Sequence, residues 1–481
     1  MKTTLVALAV LVLAPAREAG SQAPARSDLQ HKLEACQVAG VKDPALCGHY
    51  EVPEVRGAEG SRRVKLNIVV LPATTDSIAG DPLVFLAGGG VVPATRYAGF
   101  LTRAFPTLRQ HRDILLIDQR GTWNSSPLAC EPGPGPASED GAASIRSCLD
   151  DLTKRADLRA YSTAAAMDDL DAVREWLGYR TISLYGVSYG TKAAQVYLKQ
   201  HPQRVRSVVL YGVVPLSAPT QLDLAANAQR TLERVFALCA TDATCQAAFP
   251  SLGVELDSTL ARLARAPATA SLERSGAPAQ TIEVTDRMLR DVVQTMLGSA
   301  RSIERLPRLI HAAYGGDYRS VGRVALGDGP LSLPPAPRGV FFSILCAESI
   351  PLIEPSRVAP ATAGTFFGAT PVQSQIDACA EWPRAALPAG FWEPARADVP
   401  VLAITGDLDP ITPPSYGELV TSSLRNARHI VIPNRSHGDV DPCITTLFER
   451  FLIDGGAGGL DTSCAAVQAP LRFATDITVP R

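Results

Sequence analysis

The sequence predicts an α/β fold, a mostly parallel central sheet with an inserted helical cap. Three observations carry this reading. Short apolar runs at 83–87, 114–117, 182–185, 205–210, 399–404 and 430–432 look like strands buried on both faces. Helical patterns separate several of them: across 165–177, Met167, Leu170, Val173, Trp176 and Leu177 share one face, and 192–200 is a second such segment. From about 217 to 334 the pattern turns helical, with Leu- and Ala-rich stretches at 221–238 and 256–264 and few strand-like runs.

The elements follow in order. Met1 and Lys2 precede an apolar run from Leu5 to Ala14 and a small-x-small site at Ala14-Pro15-Ala16, the layout of a secretory signal peptide. Cleavage near Ala23 or Ala25 fits as well, so 1–25 is read as signal and linker. Residues 63–71 alternate apolar and polar, as a half-buried strand does. The first part of the core is expected over 26–216, the mainly helical cap over 217–395, and the rest of the core over 396–481.

Composition limits the function classes. Lys plus Arg is 46 against 48 for Asp plus Glu, a net charge of −2 without a basic patch, so no nucleic-acid partner is expected. No stretch after the signal reaches 18 uncharged apolar residues, so no further membrane span is expected, and a monomer is. The ten cysteines suit an oxidising compartment, periplasmic or extracellular. The sequence alone leaves their connectivity open; pairing of sequential neighbours, Cys36–Cys47, Cys130–Cys148, Cys239–Cys245, Cys346–Cys379 and Cys443–Cys464, is the expectation. No C-x-x-C occurs and no histidine cluster accompanies the cysteines, so neither a metal nor another cofactor is expected.

The chemistry centres on Gly186-Val187-Ser188-Tyr189-Gly190, a G-x-S-x-G between a strand and a helix. In the α/β-hydrolase fold this elbow exposes the serine oxygen, and both glycines stand where a Cβ would clash. Serine needs a base, and the fold's order is serine, acid, histidine. Of the histidines downstream, His201 precedes any acid loop, His311 lies in the helical insertion and His429 begins an apolar run. His437 lies in a polar loop after that run and is the candidate base. The acid belongs at the end of the preceding strand, where Asp407 and Asp409 both stand. Asp409 is preferred because Pro410 fixes the turn that would aim it. The oxyanion donors are expected at the N–H of Tyr189 and at Gly89, with Gly88 and Gly90 as alternatives.

Several segments together resemble the tripeptidyl/prolyl aminopeptidase branch of the α/β-hydrolases. They are Cys47-Gly48 with Val52-Pro53, Asp118-Gln119-Arg120-Gly121-Thr122 with Ser125, and Leu184 through Thr191. Gly406 with Asp409-Pro410-Ile411-Thr412-Pro413, and Cys443 with Gly459 through Cys464, complete the set. The resemblance implies a capped sheet and cleavage of short peptides from a free amino end. It departs at the glycine loop, where Gly88-Gly89-Gly90-Val91 stands in place of Gly-Gly-Pro-Gly. An aminopeptidase must bind a cationic amine, and Glu348, in the cap region, is the candidate carboxylate. Asp118 and Arg120 are expected as a buried ion pair that orders loops. The expectation is an exported serine hydrolase acting on small peptides. The alternatives are an esterase with the same triad and a catalytically silent binding protein.

Overall fold

The structure, a computed structural model, describes residues 23–75, 78–130, 142–274, 277–327 and 337–476. The expected signal segment therefore lies outside the described residues up to residue 22.

A nine-stranded sheet forms the centre. Its strands are β1 (Glu34–Cys36), β2 (Ala45–Pro53), β3 (Arg63–Leu71), β4 (Leu83–Leu86), β5 (Ile114–Ile117), β6 (Ile182–Val187) and β7 (Val205–Tyr211). A separate hairpin, β8 (Ala268–Arg274) and β9 (Ala277–Val284), follows, and β10 (Val401–Gly406) and β11 (Ala427–Ile432) complete the sheet. The spatial order is β1-β2-β3-β5-β4-β6-β7-β10-β11. The first three strands pair antiparallel, as does β3 with β5, and every pair from β5 to β11 is parallel.

Side chains alternate across this sheet because successive residues of a strand point to opposite faces. Val70, Val84, Leu115, Leu184, Leu210 and Ala403 enter one apolar cluster. Val69, Phe85, Leu116, Tyr185, Val209 and Ile404 enter the other. Both faces of the central strands are covered, which is why β6 and β10 read as mainly apolar runs, interrupted by the buried hydroxyls of Ser183 and Thr405. Each buried Val, Leu or Phe contributes about 1.5–3 kcal/mol relative to exposure.

The insertion between β7 and β10 packs in two parts. Helices from Thr220–Thr241 to Arg319–Ala325, with the β8–β9 hairpin, enclose a third cluster that includes Leu232, Leu256, Leu289, Ile310 and Val321. The helix Arg338–Glu348 and the chain after it pack on the main core through Val340, Phe342, Leu345 and Trp382. The five sequential cysteine pairs are bonded as expected. Beyond Cys464 the tail reaches the cap: Leu471 and Phe473 pack on its cluster, and the N–H groups of Arg472 and Ala474 donate to Glu304. Among the described residues, no single helix is long and apolar enough to cross a membrane.

Candidate active site

Ser188 sits where β6 turns into the helix Tyr189–Gln200, at φ +54° and ψ −122°. A non-glycine residue at positive φ is strained, and such strain persists only where the surroundings enforce it. Here the glycines do so. A Cβ on Gly186 would lie 2.3 Å from the Gly190 carbonyl oxygen, and one on Gly190 would lie 2.0 Å from that of Leu86. The elbow therefore tolerates glycine alone at both positions. The Ser188 N–H donates to the Tyr211 carbonyl at 2.8 Å, tying the elbow to the end of β7.

His437 and Asp409 meet as the loop order predicts. His437 Nδ1 lies 2.8 Å from Asp409 Oδ2. Asp409 is nearly fully buried, and its Oδ1 accepts the N–H groups of Ile411 and Thr412, each at 2.8 Å. The Thr412 hydroxyl donates to Asp409 Oδ2 at 2.6 Å and lies 2.9 Å from His437 Nδ1. Burial opposes charge on the imidazole, but the Asp409 carboxylate and its hydrogen bond outweigh it and hold the His437 pKa above its usual value. With Nδ1 committed to Asp409, Nε2 is left for proton transfer. No hydrogen bond joins it to Ser188 Oγ among the described residues, a contact that catalytic sites often tighten only around substrate. Asp407 takes no part in this pairing. Its Oδ1 is buried without a hydrogen-bond partner among the described residues, and desolvation raises its pKa.

Two glycines bring the parts close. Gly212, just past β7 at φ +63°, lies against the imidazole, where a Cβ would stand 3.1 Å from His437 Cε1. A Cβ on Gly88 would stand 3.2 Å from Ser188 Cβ. Of the three candidate glycines, Gly88 thus packs on Ser188, Gly89 lines the adjoining cavity, and Gly90 faces the Tyr189 ring.

That cavity is about 350 Å³ and is lined by Gly89, Ser188, Tyr189 and Thr412. Cap residues Leu224 and Gln294 also line it, with Phe341, Ile344 and Leu345 of the helix Arg338–Glu348. The His437 loop is itself stitched to the cap. Ser436 Oγ donates to the Leu297 carbonyl at 2.5 Å, Gly438 N–H to the Gly298 carbonyl at 2.8 Å, and Ala300 N–H to the Asp439 carboxylate. From the core side, the Tyr211 hydroxyl donates to the carbonyls of Ser436 and Asp439.

Two expectations need correction. Glu348 does not line the cavity. It is fully buried, with Oε1 accepting Thr163 N–H at 2.6 Å and Oε2 accepting the Thr163 hydroxyl at 2.8 Å. Thr163 opens the helix Thr163–Leu177, whose first N–H groups lack partners within the helix and attract a carboxylate. The Thr163 hydroxyl also lies 2.7 Å from the Tyr189 hydroxyl, so Glu348 buttresses the residue after Ser188. Asp118 and Arg120, in turn, are both buried but not paired with each other. Arg120 makes a two-pronged bond to Asp169 at 2.6 and 2.7 Å, and Asp118 accepts from Thr95 and Asn67. The sequence reading missed Gly212, the Thr412 hydroxyl as a neighbour of His437, and Lys192, which lines the cavity.

The family model described as alpha/beta hydrolase fold matches residues 81–441, the span that holds the elbow, the acid loop and the histidine loop. The chain belongs to this family. It is 26% identical to the serine protease Hip1 of Mycobacterium tuberculosis over 85% of each chain. It is 25% identical to the tripeptidyl aminopeptidase of Streptomyces lividans over 36% of each. With the proline iminopeptidase of Neisseria gonorrhoeae it shares 31% identity, over 28% of this chain and 33% of that one. The chain is thus a peptidase-like α/β-hydrolase.

Proposed function

We propose that this chain is an exported serine peptidase that releases small N-terminal units from short peptides. Ser188 attacks the scissile carbonyl while His437 takes its proton, and Asp409 holds the imidazole's tautomer and stabilises the imidazolium. The oxyanion rests on the Tyr189 N–H and on one N–H of the Gly88–Gly90 turn. His437 then protonates the leaving amine, and water releases the acyl group. Bonded cysteines in five pairs support export.

The observation that carries the reading is Asp409–His437 set against Gly212, one residue past the carbonyl that holds the Ser188 backbone. One further point supports peptides over plain esters. The relatives named above are peptidases, two of them acting at amino ends by name. A roofed cavity of this size suits a small substrate.

The test is kcat/KM for matched aminoacyl anilides and acyl esters, with free and acetylated amino ends, on wild type and Ser188→Ala. Loss of the serine is expected to cost on the order of 10⁴–10⁶ in kcat. A variant keeping a tenth of the activity removes Ser188 from the mechanism. Best turnover of acetylated substrates or plain esters replaces the aminopeptidase reading with an esterase.

A further inference from the structure

Lys192 lies four residues after Ser188 on the elbow helix, a spacing that puts the two on one helical face. It lines the cavity, yet its side chain is only 6% exposed. Among the described residues its ammonium has two partners, Glu348 Oε2 at 3.5 Å and Ser349 Oγ at 3.4 Å. Both are at the outer limit of a hydrogen bond. Glu348 already holds Thr163 at much shorter range. Lys199, two turns further along the same helix, shows how this chain satisfies a lysine: its Nζ donates to the carbonyls of Gly390, Phe391 and Glu393 at 2.6, 3.1 and 2.7 Å. An ammonium offers three donors, and those of Lys192 are weakly used. Among the described residues lining the cavity, Lys192 carries the one formal charge, and no lining residue is a carboxylate.

We infer that Lys192 is a specificity-determining residue that binds a carboxylate of the substrate, within the peptidase reading given above. The carboxylate belongs either to an acidic side chain or to the free carboxyl end of a short peptide. In both cases it takes an ammonium donor on the cavity side, with Glu348 behind the lysine. A charge-assisted bond of this kind changes affinity by about ten- to a hundredfold.

The experiment uses the full-length mature protein and two matched peptide pairs followed by chromatographic product release. One pair differs by Glu against Gln in the released unit. The other differs by a carboxylate against an amide at the carboxyl end. Wild type is expected to favour the acidic member of one pair by about ten- to a hundredfold in kcat/KM, and the responding pair identifies the source of the carboxylate. Lys192→Met is expected to collapse that ratio to near one, and Lys192→Arg to restore part of it. Because Lys192→Met strands Glu348, the double variant Lys192→Met/Glu348→Gln removes both charges and is read in the same way. Wild type without preference in either pair overturns the inference, as does an unchanged ratio in the double variant. Labelling by a fluorophosphonate separates the two levels. A wild type that is not labelled at Ser188 defeats the peptidase reading, and one that is labelled but indifferent to charge defeats the Lys192 assignment alone.

Discussion

Gly212→Ala tests whether the end of β7 positions the imidazole. The new methyl would stand 3.0 Å from Thr412 Oγ1, 3.1 Å from His437 Cε1 and 3.2 Å from His437 Nδ1. All three are tighter than ordinary contact, so the ring and the threonine must retreat by a few tenths of an ångström. The backbone at φ +63° adds strain for a residue with a Cβ, roughly 1–2 kcal/mol. Gly178→Ala separates these effects. Gly178 has φ +90° at the end of the helix Thr163–Leu177, and its methyl would meet nothing nearer than Pro24 Cβ at 3.6 Å. Both variants are expected to lose about 1–2 kcal/mol in urea unfolding. Only Gly212→Ala is expected to lose activity as well. A displacement of about 1 Å costs on the order of 10²-fold, so a smaller one is expected to cost roughly ten- to a hundredfold in kcat/KM. The assay is kcat/KM beside the rate of fluorophosphonate labelling. If Gly212→Ala turns over substrate as well as Gly178→Ala does, the close approach at β7 has no bearing on catalysis.

Two further outcomes are expected. Asp409→Asn should lower kcat by on the order of 10⁴, as loss of an orienting acid does, while Asp407→Asn leaves most of the activity; the reverse order in steady-state kinetics would make Asp407 the partner of the histidine. The acid limb of the kcat/KM–pH profile should lie above pH 6.5, because Asp409 raises the His437 pKa above that value and the base works only when deprotonated, so activity falls as pH drops through the raised pKa. A limb centred at or below pH 6 contradicts that assignment.

The sheet was legible where both faces of a strand are covered, because burial forces an apolar run. β2 was not, since Gly48, His49 and Glu51 interrupt its pattern near the sheet's edge. The β8–β9 hairpin was missed because Ala268–Arg274 carries few large apolar side chains. At the site, Ser188, Asp409 and His437 stood out through chain order and local turns. Gly212 did not, because its constraint comes from residues 200 and more positions later in the chain. Glu348 misled for a similar reason: its partner Thr163 is 185 positions earlier. A carboxylate's job depends on which helix end it meets, and no spacing within its own segment records that.

The stitching of Leu297, Gly298 and Ala300 to both flanks of His437 has a bearing on how such enzymes diversify. A cap is commonly pictured as an exchangeable cassette that tunes selectivity while the sheet supplies the reaction. Here the cassette also supplies part of the frame for the candidate base. A graft from another family member that omits this turn would leave Ser436 Oγ and the Gly438 N–H without their cap acceptors. The cap and the frame of the candidate base are therefore joined in this chain, and laboratory recombination should cut on either side of residues 297–300 rather than through them.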